Sequence, residues 1–77
     1  MKILINVYYE TAGVSALQRG PWPVNPKQFR DSPDIAAVIG AMDFIQWIKR
    51  NNAHPIKVTK VLYGDDIDIT DKVLNVK

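Results

Sequence analysis

The chain of 77 residues has no cysteine. Disulfides and thiolate metal sites are thereby excluded as sources of stability. A domain this short has a thin core, so it is left with regular packing or oligomerisation. Histidine occurs once, at His54, and glycine only four times. Gly13 and Gly20 lie too far apart for a phosphate loop, and no Gly-Lys-Ser/Thr follows them. Neither Ser15 nor Ser32 sits in a nucleophile elbow. His54 has no partner at readable spacing, and next to Pro55 it is placed to bond the last carbonyls of a preceding helix. The expectation is a non-catalytic protein without a cofactor. Long apolar runs are also missing. The opening Ile3-Leu4-Ile5 is broken by Asn6, too early for a secretory apolar segment, and no stretch approaches a membrane span. A soluble, cytoplasmic protein with no membrane partner is expected. No large charge excess exists either: 10 basic residues face 8 acidic ones, which argues against an extended nucleic-acid partner.

What is present has a marked order. Residues 2–9 alternate as a strand, with Ile3, Ile5, Val7 and Tyr9 on the core face and Leu4, Asn6 and Tyr8 on the other. Residues 10–32 show no period. They hold Gly13, Gly20, Pro21, Pro23 and Pro26, and Pro33 follows; this composition predicts a long proline-rich loop, with at most a helical turn around Val14–Leu17. Residues 33–51 are predicted as a helix. Asp31 or Ser32 caps it, Pro33 opens it, Asp34 suits its positive end, and Lys49 and Arg50 suit the other. Residues 56–63 read as a second strand whose alternation breaks at Val61-Leu62-Tyr63. A bulge near Lys60, or burial of both faces there, explains the break. Gly64-Asp65-Asp66 signals a turn, Ile67-Asp68-Ile69 a short returning strand, and Thr70-Asp71 the cap of a last turn. The fold expected is α+β, a single domain over residues 1–77 in the order β-loop-α-β-β, with a helix on one face of a three-stranded, mainly antiparallel sheet.

The predicted helix carries more apolar surface than one sheet covers. Ala37, Val38, Ala41, Phe44, Ile45 and Ile48 form one face. Ile35, Ile39 and Met42 lie elsewhere, and Trp47 lies on a third side. A second covering layer is required, from Val14, Leu17, Trp22 and Phe29 or from a second copy of the chain. A homo-oligomer built through the helix or the proline-rich loop is therefore expected.

Between Thr11 and Arg30 there is no acidic residue, and Arg19, Lys27 and Arg30 stand among Trp22 and Phe29. Guanidinium and ammonium groups suit phosphate or carboxylate, aromatic faces suit rings, and prolines lower the entropy of ordering a loop around a ligand. Arg19, Trp22, Lys27, Phe29 and Arg30 are thus candidate ligand-binding residues for an anionic small molecule. The alternative is that Trp22 and Phe29 only pack on the helix. The carboxylates Asp65, Asp66, Asp68 and Asp71 lack the alternating ligands, glycine and terminal glutamate of a calcium loop. A hairpin turn and a cap account for them, and no metal site is expected.

A short first strand, a helix ending in Trp47-Ile48-Lys49-Arg50 and the closing stretch KVLYGDDIDITDKV together resemble small accessory proteins encoded by phages and prophages. The resemblance covers about half of the chain. It implies one of two activities in a host cytoplasm: capture of a defence signal such as a cyclic nucleotide in an oligomeric sponge, or binding and blocking of a host protein.

Overall fold

A computed structural model describes residues 1–75. Strand β1 (Lys2–Thr11) turns back into β2 (Val14–Pro23); a short helix α1 (Pro26–Asp31) leads into the long helix α2 (Pro33–Arg50). Strand β3 (Ile56–Tyr63), a two-residue β4 (Ile67–Asp68) and helix α3 (Thr70–Leu74) complete the chain. The four strands form one antiparallel sheet in the order β2-β1-β3-β4. β2 and β3 flank β1 and run parallel to each other. Parallel strands need a long crossover, and α2 supplies it by crossing one face of the sheet.

That face is the core. Ile5 and Val7 of β1, Val61 of β3 and Ile48 of α2 are fully buried, together with Ile69. Ile3, Tyr9, Ala37, Val38, Ala41, Phe44, Ile45, Tyr63 and Val73 complete the cluster. The alternation in residues 2–9 is therefore realised as expected, and the strand runs two residues further. Thr59 is the extra residue of a bulge: Tyr8 pairs with Lys60 while Tyr9 pairs with Val58. The Thr59 hydroxyl donates to the Tyr8 carbonyl at 3.1 Å. Beyond the bulge Val61, Leu62 and Tyr63 are all buried.

The region expected to be a proline-rich loop, residues 10–32, is instead a strand and a helical turn. The sheet accordingly has four strands, not three, and Val14–Leu17 is extended, not helical. Two features reconcile prolines with a strand. Ala12 and Gly13 both have positive φ, 51° and 78°, as the two central residues of a tight type I′ hairpin turn require. The ladder parity then places Pro21 and Pro23 harmlessly. Val24 N donates to Met1 O at 2.8 Å, and Gly64 N to Leu4 O at 3.0 Å. Odd residues of β1 thus bond β2 and even ones bond β3, which leaves the odd residues of β2 pointing their N–H groups away from the sheet. Pro21 and Pro23 are odd, and a strand accepts proline where no ladder donor is lost. Pro26, expected to forbid a helix, occupies its first turn, where its N–H is not needed; Asn25 caps that turn by accepting from Gln28 N at 3.1 Å.

The predicted helix over 33–51 is found as α2, one residue shorter, with Ser32 at its N-cap position but no side-chain bond from it. At the other end Asn51 and Asn52, not His54, bond the last carbonyls. Their amides donate to Trp47 O at 2.7 Å and Ile48 O at 2.8 Å, while His54 is exposed. Thr70 and Asp71, expected to cap the final turn, lie inside α3, whose N-cap position is Ile69 without a side-chain cap bond. The Asp68 carboxylate just before it accepts from both the amide and the hydroxyl of Thr70 at 2.8 and 2.6 Å. These two bonds hold the Asp68 pKa below the usual carboxylate range. Among the described residues no helix is long and apolar enough to cross a membrane.

Candidate functional site

Helix α2 is too apolar for the layer beneath it. The sheet takes Ala37, Ala41, Phe44 and Ile48. Trp22 of β2 and Val24 just after it add to this layer, and the turn of α1 adds Phe29. The sheet and the segment leaving β2 approach α2 closely: a Cβ on Gly40 of α2 would lie 3.0 Å from Val24 Cγ1, 3.4 Å from Ile5 Cδ1 and 3.6 Å from Trp22 Cδ1. The ring of Trp22 stacks on Phe44 with centroids 4.6 Å apart and planes 10° apart, and it meets Trp47 edge-on at 6.2 Å. Phe29 meets Tyr63 edge-on at 6.3 Å. Trp22 and Phe29 thus form part of the second covering layer. Val14 and Leu17 do not, being 62% and 48% exposed.

One stripe of α2 is left uncovered. Ile35, Ile39 and Met42 follow one another at helical spacing and are 55%, 45% and 37% exposed. With Val38 they line a groove of about 380 Å³ between α2 and α3. Met42 also borders a second hollow of about 270 Å³ that reaches Leu74 and the start of β3. The two share one side of α2 and form a trough along it.

The N-terminal end of this trough is polar and fixed. Tyr63 donates its phenol proton to Asp34 Oδ1 at 2.6 Å, and Lys72 donates to Asp34 Oδ2 at the same distance. The Lys72 bond, then the Tyr63 bond, holds the Asp34 pKa below the usual carboxylate range. The same carboxylate, with burial second, pushes the Tyr63 phenol up to about 12. Asp34 therefore ties the start of α2 to the end of β3 and to α3, and its charge is already matched by Lys72. The walls offer dispersion contact; the end offers a fixed hydrogen-bonding cluster.

The five residues singled out in the sequence are not gathered into one concavity. β2 alternates, so Trp22 points into the layer under α2 and Arg19 points to the opposite face of the sheet. Arg19 there stands across from Asn6, whose Oδ1 is buried without a partner among the described residues. Lys27 and Arg30 lie exposed on α1, where Arg30 pairs with Asp31 at 3.7 Å across an open surface. The carboxylates of the closing hairpin do not combine into a group of three or more that could hold a metal ion, among the described residues. A polar hollow of about 560 Å³ beside them sets Lys60 and Lys72 against Asp68 and Asp71, so its charges are of both signs.

The exposure of Ile35, Ile39 and Met42 was legible from the helical wheel. The trough was not, because its other wall comes from α3, about thirty residues further along the chain. The chain matches no family model, no curated protein and no solved structure.

Proposed function

We propose that this chain is a small non-catalytic binding protein that docks the apolar face of a partner protein's helix in the trough along α2. The observation that carries the reading is the exposed row Ile35, Ile39 and Met42. Residues at this spacing form a ridge that interdigitates with the ridge of a second helix, and an apolar groove of this kind is a recurring mode of helix recognition. The likeness of the helix end and the closing hairpin to phage accessory proteins makes a host factor, bound and blocked, the class of partner we propose. Capture of an anionic nucleotide is the less favoured reading, because Arg19 and Trp22 leave β2 on opposite faces and Trp22 is already stacked on Phe44.

A photo-crosslinking residue at Ile39 tests the proposal, with the same residue at Lys57 as control. The protein captured from host cells only at Ile39 is then purified and titrated. Ile39→Glu, at a half-exposed position, should leave the melting temperature nearly unchanged and weaken that binding at least about tenfold, as loss of a central apolar anchor does. Equal affinity of Ile39→Glu and the wild type would refute the reading.

A further inference from the structure

The free edge of β2 is guarded along half its length and open along the other half. Strand β2 lies at the end of the sheet order, paired only to β1. Its odd residues turn their N–H and C=O groups outward. At Pro21 and Pro23 the outward N–H is absent. At Ser15, Leu17 and Arg19 it is present, and all three residues are exposed. No backbone or side-chain partner reaches them among the described residues. Proteins normally protect such an edge with lysine, proline, a bulge or a covering element. From Val14 to Gln18 there is no proline and no charge, and the register of β2 with β1 is unbroken. Leu17, 48% exposed, stands at the centre of the open half.

We propose that the open half of β2 pairs antiparallel with the same segment of a second copy, joining two four-stranded sheets into one of eight strands about a two-fold axis at Leu17. The register follows from the residues. With Leu17 opposite the partner copy's own Leu17, Ser15 faces Arg19 of the second copy. Every outward N–H and C=O from Ser15 to Arg19 then has a partner. A shift of one residue in the direction of the prolines sets the Ser15 carbonyl against Pro21, which has no proton to give. A shift of two sets Arg19 against Arg19. A shift towards the hairpin sets Arg19 against Gly13, whose positive φ takes it out of the strand. The prolines therefore stop the pairing on one side and the type I′ turn stops it on the other.

The side chains agree with this register. Leu17 lies beside Tyr8, and Tyr8 beside Lys60, whose ammonium sits 5.8 Å from the Tyr8 ring centroid. Across the two-fold the row continues from Leu17 to Leu17 to Tyr8. Cross-strand apolar pairs of this kind stabilise antiparallel sheets. The α2 trough lies on the opposite face, so the dimer presents two copies of it on one side, and a bivalent partner gains from both.

Three measurements on the full chain decide the matter. Light scattering at micromolar concentration should give twice the chain mass for the wild type. Leu17→Pro removes an outward donor at a position of the same parity as Pro21 and Pro23, so it should keep the fold, read by circular dichroism, and give the single-chain mass. Leu17→Cys introduces the only thiol in the protein. In a hydrogen-bonded antiparallel pair two such residues lie about 5.5 Å apart between Cα atoms, within disulfide reach. Mild oxidation should therefore convert Leu17→Cys to a covalent dimer, and should leave Ser15→Cys, which faces Arg19 of the other copy, uncrosslinked. A monomeric wild type overturns the proposal. So does a Leu17→Pro variant that folds and remains dimeric. If Leu17→Pro fails to fold, the cysteine pair decides: crosslinking at Ser15→Cys and not at Leu17→Cys overturns it.

Discussion

Replacing Trp22 by alanine separates packing from recognition at the residue where the sequence left both readings open. Its ring stacks on Phe44 at 4.6 Å and meets Trp47 at 6.2 Å, and the residue is half-buried. A buried indole removes about 150–250 Å² from water; with roughly two thirds of it covered and about 25 cal/mol per Å², the lost transfer energy is about 3 kcal/mol. The lost stacking adds about 0.5–1.5 kcal/mol, and relaxation of the half-open site recovers a similar amount. The total stability of a chain this size is only about 4–12 kcal/mol, so the variant forfeits a large share of it. At about 4–8 °C per kcal/mol, the melting midpoint should fall by about 12–24 °C. Thermal melts followed by far-ultraviolet circular dichroism measure this directly. Arg19→Ala, on the opposite face of the same strand and exposed, is the control and should stay within about 0.5 kcal/mol of the wild type. A Trp22→Ala midpoint within about 4 °C of the wild type would refute the assignment of the ring to the core, since that is the shift expected for about 1 kcal/mol or less.

Two further outcomes are expected. Ala12→Gly should raise the melting midpoint by a few degrees: alanine at φ 51° carries about 1–2 kcal/mol of left-handed strain, and glycine returns part of the gain as backbone entropy. A lower midpoint would mean that the turn between β1 and β2 is not type I′. The Tyr63 phenol, raised to about 12 by the Asp34 carboxylate and by burial, ionises at about 10 in the unfolded chain. Its contribution is complete below pH 10 and is lost as pH rises from there towards 12. Wild-type melting temperatures should therefore fall more steeply over that window than those of Tyr63→Phe, and parallel curves would show that the Tyr63–Asp34 bond contributes nothing.

The sequence by itself determined the elements whose residues repeat with a period. The alternation Ile3, Ile5, Val7, Tyr9 fixed the buried face of β1, and the proline, acidic start and basic end of residues 33–50 fixed α2. The broken alternation before Tyr63 marked an irregularity without choosing between a bulge and burial of both faces, and both occur; the wheel of α2 marked Ile35, Ile39 and Met42 as surplus. The sequence did not disclose β2. Its inward positions include Gln18 and Gly20, its outward ones include two prolines, and its turn is Ala-Gly where Asn-Gly would have announced a hairpin. Whether a proline breaks a strand depends on which way its missing N–H would have pointed. That direction is set by ladder parity with β1, a relation between two strands that neither contains alone. The same parity decided that Arg19 and Trp22 part to opposite faces. The trough likewise exists only because α3 returns beside the start of α2, where Lys72 and Tyr63 meet Asp34. Local periodicity is written residue by residue; the partner of an edge, a face or a carboxylate is chosen only when distant segments pack.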